Sequence, residues 1–398
     1  MRALFALMLI AAAVAAACRG GGGSAPSPTA ASTPVSDTIV IPAGQPITIG
    51  VSAALSGEEV LLGTDIADAS ELAVEEFGPI AGRAVRAVRK DDRCTDPEAA
   101  VNVGKQLIGD PALAGVIGPL CTTGAQAADR VYERARVVHI AVSATRQELS
   151  AQNEVFFFRT SWHDDAQARV QADYAYTTAG ARTALVIDDT EPYGRNLADA
   201  FASAFETLGG RIVGRERITR GSTDFTGLAR QAETAAAGVV VYEGLNPEGG
   251  LIVKALRQEG FAGTFIGPDS LLSLRDFLQT AGPQSEGAII TGGATPDEAF
   301  IARFNARWKR PPSTPFVLQA HDAVTALLSA MRTVATEGEN GALTIDRNQL
   351  ARTLRAQGFP GLTGPITFDE RGDRRSGTPR EAGLRIYRVV EGRFVPVD

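Results

Sequence analysis

Hydrolysis by a nucleophile needs a serine or cysteine beside a histidine and an acid that orients it. The only histidines of this 398-residue chain are His139, His163 and His321. His139 lies inside a strand-like run and His163 opens a helix-like one, so both read as structural; His321 alone falls where it could line a cleft. No Gly-x-Ser-x-Gly elbow accompanies them. Glycines are plentiful, but Gly20 to Gly23 belong to a low-complexity stretch, and neither a Gly-Lys-Ser/Thr loop nor a Gly-x-Gly-x-x-Gly turn follows a strand. Nucleotide binding is therefore unsupported. Asp91, Asp92 and Asp96 could suggest a hard cation, yet Asp96 precedes Pro97 in a helix-capping pattern and the other two read as solvated turn acids. No metal, no cofactor and no catalysis are expected.

The cysteines speak to compartment. Arg2 and the uncharged apolar run from Ala3 to Ala17 form a signal peptide over residues 1–17, too short for a membrane-spanning helix. Cys18 stands where a lipoprotein carries its acylated cysteine, although Ala15 replaces the usual leucine, and cleavage after Ala17 by the general signal peptidase is the alternative. From Arg19 to Asp37 the chain is Gly, Ser, Pro, Thr and Ala, the composition of a flexible tether, and a tether implies an anchor. Residues 18–45 are taken as lipidated cysteine plus linker. Cys94 and Cys121 remain as the one internal pair, and in an oxidising compartment a disulfide between them is expected, with two separate buried thiols as the alternative.

About 360 residues follow Asp37, comfortable for two cores. The net charge of -7, with no basic stripe or polybasic run, excludes nucleic acid and anionic lipid as partners. Short β-branched runs alternate with longer helix-period stretches, the signature of βαβ units and hence of an α/β fold with two parallel sheets. The first set comprises strands at Ile47 to Ala53, Ala84 to Asp91, Ala112 to Ile117 and Val137 to Val142, with helices at Thr64 to Phe77, Pro97 to Ile108 and Thr122 to Ala135. The second comprises strands at Ala184 to Asp188, Ile212 to Arg217, Val239 to Glu243, Thr264 to Gly267 and Ala288 to Thr291, with helices near Gly194 to Leu208, Thr226 to Ala237 and Pro247 to Glu259. A long helical segment, Thr314 to Val334, fits only if the chain has crossed back. Crossings are expected near Ser161, Gly293 and Phe368, giving lobe 1 as 46–161 with 293–368 and lobe 2 as 162–292 with 369–398.

Several segments carry a resemblance: Ile49-Gly50-Val51 leading to Leu55-Ser56-Gly57, Asp91-Asp92-Arg93-Cys94-Thr95-Asp96-Pro97, Ile117-Gly118-Pro119-Leu120-Cys121-Thr122, Tyr193-Gly194, Phe265-Ile266-Gly267-Pro268-Asp269, and Phe368-Asp369-Glu370-Arg371-Gly372-Asp373. On these, Pro46 to Val397 resembles the leucine/isoleucine/valine-binding proteins of bacterial ABC importers. That resemblance implies the type I periplasmic-binding-protein fold, two Rossmann-like lobes joined by three crossover strands. It also implies a disulfide between the two matching cysteines and a small-molecule ligand, an amino acid or close analogue.

An amino acid brings a carboxylate and an ammonium, and burying either without a partner costs several kcal/mol. Thr122, opening a helix, is placed to offer donors to the carboxylate. Ser143, Ala144 and Thr145 follow a strand, where open α/β sheets bind ligands. The resemblance assigns all four to the carboxylate, with ordinary Ser/Thr capping as the competing reading. Asp269 follows a strand of the second lobe and would meet the ammonium; a helix-capping aspartate is its competing reading. Tyr193 would face the cleft. Leu62 and Leu245 stand where the family pattern has aromatics, His321 where a tyrosine is usual, and Asp269 where glutamate is frequent, so the ligand's side chain is open.

The expectation is an exported, lipid-anchored, monomeric solute-binding protein at the periplasm or outer membrane face, serving an ABC permease pair. A ligand-sensing module is the second function class. The chain ends at Asp398 with no membrane helix, kinase or DNA-binding segment attached, which favours transport.

Overall fold

The computed structural model describes residues 36–151, 154–338 and 340–397. The signal peptide, Cys18 and most of the tether lie outside the described residues.

The chain opens with β1 (Thr38–Ile41), in which Ile39 and Ile41 are buried and Thr38 and Val40 turn outward. β1 falls inside the span 18–45 assigned to the lipidated cysteine and linker, which corrects that assignment for Thr38–Ile41: the buried Ile39 and Ile41 pair this segment with a late strand. The first βαβ set follows as β2 (Ile47–Ala53), α1 (Val60–Phe77), β3 (Val85–Asp91), α2 (Pro97–Ile108), β4 (Leu113–Ile117), α3 (Thr122–Arg134), β5 (His139–Ala141) and β6 (Phe157–Arg159). All five strands β3-β2-β4-β5-β6 run parallel. Asp96 caps α2 by accepting from the Ala99 amide at 2.9 Å, with Pro97 as its first residue.

The second set runs α4 (Asp164–Asp173), β7 (Thr183–Asp188), α5 (Pro192–Thr207), β8 (Arg211–Arg217), α6 (Thr226–Thr234), β9 (Val239–Glu243), α7 (Glu248–Gln258), β10 (Thr264–Gly267) and β11 (Ile289–Gly293). After these come α8 (Glu298–Trp308), α9 (Val317–Val334), β12 (Thr336–Glu337), β13 (Leu343–Asp346), α10 (Arg347–Ala356), β14 (Leu384–Val390) and β15 (Arg393–Pro396). The second sheet is ordered β15-β14-β11-β10-β9-β7-β8, with β14 antiparallel to both its neighbours, β11 and β15, and β1-β13-β12 form a small third sheet.

Side-chain alternation explains the layering. In β9, Val239 and Val241 face the core shared with Leu197 and Phe201 of α5, while Val240 and Tyr242 face that of α6 and α7 with Ala229 and Leu256. Around the first sheet, Leu107 of α2 meets Gly50 and Val116 on one face, and Leu327 of α9 meets Gly115 on the other. The long helix after the second set therefore packs on the first sheet. Arg159, fully buried at the end of β6, ties two chain passages: its Nε lies 2.8 Å from Asp373 Oδ1 and its Nη1 bonds to the Arg146 carbonyl at 2.7 Å.

Candidate functional site

Both parallel sheets share one strand order, in which β2 and β4, and likewise β7 and β9, diverge in connectivity. Ligands of open α/β sheets bind in the crevice outside the carboxyl ends at such points. The loops leaving those strands meet in one interlobe cavity lined by Leu62, Thr95, Leu120, Cys121, Thr122, Thr123, Ser143, Glu191, Tyr193, Leu245, Asp269, Ser270 and Phe316. Larger concavities exist, such as one of about 530 Å³ beside Asp165, Arg169 and Leu208 on the outside of α4 and α5. We favour the interlobe cavity because loops from the strand ends of both sheets converge on it.

The wall from the first lobe is built by Asp92. This side chain, read from the sequence as a solvated turn acid, is fully buried, and accepts from Ser52 Oγ at 2.9 Å and from the amides of Leu120 and Cys94 at 3.0 Å each. It thereby fixes the loop before α3. Gly118 in that loop has φ 104°, and a Cβ there would lie 2.2 Å from the Ser52 carbonyl, so only glycine lets the loop press on β2. Cys94 and Cys121 are disulfide-bonded. Cys121 is also the N-cap of α3 and its side chain makes no capping bond, so the first amides of that helix keep no side-chain acceptor. Thr122 follows, 2 % exposed, with its hydroxyl buried and without a hydrogen-bond partner. This wall offers donors to an anion.

The opposing wall is acidic. Asp269, just past β10, is 3 % exposed and accepts from Tyr193 Oη at 2.9 Å. Burial pushes its carboxyl up to about 6, and burial likewise pushes Asp164 up to about 7. Gly194 permits this arrangement: a Cβ there would meet Asp189 Oδ1 at 2.4 Å and the Glu243 carbonyl at 2.5 Å, so the start of α5, which carries Tyr193, can approach β9. Among the described residues, no lysine, arginine or histidine lines the cavity.

Of the residues singled out in the sequence, Thr122, Ser143, Tyr193, Leu245, Asp269 and Leu62 share this cavity. Three do not. Ala144 and Thr145 are fully buried behind the wall, where the Ala144 carbonyl faces Arg159 and the Thr145 carbonyl accepts from the Asp164 amide at 2.9 Å. His321 lies on α9 away from the cavity, with Nε2 2.9 Å from Glu76 Oε2 and its ring edge-on to Phe300. Ser143 lines the wall, but its hydroxyl donates to the Leu120 carbonyl at 2.6 Å and so orders the loop. Sequence reasoning missed Phe316, the residue before α9, which stacks on Trp162 and adds a second aromatic residue to the cavity beside Tyr193. It also missed Glu191, whose Oε2 accepts from Thr123 Oγ1 at 3.0 Å between lobes; an acid two residues ahead of Tyr193 was the available signal.

The enclosed volume is about 30 Å³, room for about two waters. A cavity assembled from the strand ends of two sheets can admit a solute by moving one sheet against the other, which makes the molecule a clamp for a small ligand. The chain belongs to the periplasmic binding protein family, whose family model matches residues 46–393. It is similar to the amino acid binding protein of Pseudomonas aeruginosa, 28 % identical over 336 residues, 82 % of this chain and 87 % of that one. The leucine-, isoleucine-, valine-, threonine-, and alanine-binding protein of the same organism is 30 % identical over 308 residues, 76 % of this chain and 79 % of that one. Among solved structures, a leucine binding protein from Thermotoga maritima superposes with a TM-score of 0.78 at 22 % identity, covering 88 % of this chain and 98 % of that one.

Proposed function

We propose that this chain is the extracytoplasmic solute-binding component of an ABC importer, that it closes two lobes on an amino acid or close analogue, and that it performs no chemistry on it. The carrying observation is the pairing of walls: an unpartnered, buried Thr122 hydroxyl at an uncapped helix N-terminus faces the cavity from one lobe, and the buried acid Asp269 faces it from the other. Hydroxyl and amides match a carboxylate, and the acid matches an ammonium. Leu62, Leu245 and Phe316 leave an apolar remainder suited to an aliphatic side chain. The names of the two bacterial relatives support the same ligand class.

In this reading lobe 1 is 46–161 with 293–368, lobe 2 is 162–292 with 369–398, and the monomer is exported and held at the membrane through acylated Cys18. Titration calorimetry with the twenty L-amino acids and a set of uncharged solutes tests the ligand class. Binding of at least one aliphatic amino acid is expected; no amino-acid binding together with tight binding of an uncharged solute overturns it.

A further inference from the structure

Beside the cavity, Arg220 sits among four carboxylates. In its own lobe, Nη1 lies 3.0 Å from Glu248 Oε2 and 3.8 Å from Asp189 Oδ2, and both acids are fully buried. From the other lobe, in the loop between β2 and α1, Glu58 pairs with Nη2, and Glu59 Oε1 lies 3.7 Å from the same nitrogen. Arg220 itself is 16 % exposed, so this is a largely desolvated cation joining two sheets rather than a surface pair.

The placement of these acids gives the contact a consequence for the ligand. Glu59 precedes Leu62 by three residues and stands immediately before the helix that carries it. Glu248 follows Leu245 by three residues at the start of α7, and Asp189 accepts the Leu245 amide at 2.8 Å. Arg220 thus holds, through one guanidinium, the two segments that present the apolar wall, one from each lobe. Leu62 and Leu245 share no element, and their separation depends on how far the sheets have closed.

We propose that Arg220 is a positioning residue for ligand binding: by pairing with Glu58 and Glu59 across the gap it sets Leu62 against Leu245 and so tunes affinity for the ligand's apolar part. This inference rests on the amino-acid clamp reading. Ligand stabilises the closed arrangement by its differential affinity, and any interaction made only on closure adds to that affinity. Because Glu59 is buried, with its carboxyl pushed up to about 8, its charge is mostly suppressed at neutral pH and Glu58 carries the ionic part.

The decisive variant is Glu58→Gln, since Glu58 is 54 % exposed and its loss leaves the Arg220–Glu248 pair of the second lobe intact. Titration calorimetry with L-leucine, L-valine and L-alanine at low salt should show Kd raised about two- to fivefold, with an unchanged melting temperature and a gap that narrows in 0.5 M NaCl. The double variant Arg220→Ala, Glu58→Gln should bind no more weakly than Arg220→Ala alone, because Arg220→Ala already removes the pair with Glu58. A Kd for Glu58→Gln within twofold of wild type, or losses that add in the double variant, overturns the proposal. Should the wild type bind none of these amino acids, the ligand reading fails by itself, and small-angle scattering of the ligand-free proteins decides the latch. A larger radius of gyration for Glu58→Gln than for wild type supports it, and equal radii overturn it.

Discussion

Asp269→Asn separates the acid's proposed role from its structural one. If Asp269 meets an ammonium, the substitution removes a charge-assisted hydrogen bond worth about 1.5 to 3 kcal/mol, which raises Kd about 13- to 160-fold. The wild-type affinity should also depend on pH. An ammonium binds the ionised carboxylate, and burial places this group at about 6. At pH 5 about one free site in eleven is ionised, so Kd rises about elevenfold above its plateau, while at pH 8 nearly all sites are competent. Asp164, held at about 7 by burial, titrates nearby in both proteins, so the difference between the two pH profiles isolates Asp269. The ligand-free variant should melt no lower than wild type at pH 7.5. Raising an Asp from 3.8 to about 6 costs the fold about 3 kcal/mol when ionised, and Asn removes that cost against the loss of the charged acceptor for Tyr193 Oη. Titration calorimetry from pH 5 to 8 and differential scanning calorimetry make the measurement. Equal Kd values, or two parallel pH profiles, refute the role.

Two further outcomes follow from the same geometry. Replacing Cys94 and Cys121 by alanine opens a loop of 27 residues and should lower unfolding free energy by about 3 to 4 kcal/mol in urea titrations; because the bridge also sets the N-terminus of α3, ligand affinity should fall with it. Burial raises Glu59 to about 8, Asp164 to about 7 and Asp189 to about 6, with Arg220, Asp276, Glu58 and Asp189 facing Glu59. Folded, these acids hold protons that the unfolded chain has already released above about pH 4, so stability is highest near pH 5 and is lost as pH rises through 6 to 8; a ligand-free melting temperature that is higher at pH 8 than at pH 5 refutes this.

The sheets were legible because βαβ units write their period into the chain. β2, β9 and β10 occupy the predicted spans, and the crossing of the long helix back to the first sheet followed from having no room for it in the second. Where β-branched runs shrink, legibility fell: β5 and β6 hold three residues each, and β1 was lost in a Pro/Gly-rich neighbourhood although Ile39 and Ile41 alternate cleanly. The site was half legible for a related reason. Strand ends say where a ligand sits, but each wall residue comes from a different loop, and its direction depends on packing. His321 and Phe316 show this. They are five residues apart, about 140° around a helix, so the residue that leads into α9 over the cavity and the residue on its second turn cannot face the same way.

Glu243 makes the converse case, because its position was readable and its consequence was not drawn. It continues the phase of Val239 and Val241, so an acid stands where the pattern demands an apolar residue, on the α4/α5 side of the sheet. There it is fully buried, and neither carboxylate oxygen has a hydrogen-bond partner. Burial, with Asp269 and Asp164 adding repulsion, raises its carboxyl well above the ordinary value, so the group is held neutral. A neutral Glu243 spares Asp269 a second full negative charge, which keeps Asp269 ionisable near 6 instead of locked in its acid form. The proposed capacity of this wall to meet a cation therefore involves an acid outside the cavity as well as the one that lines it.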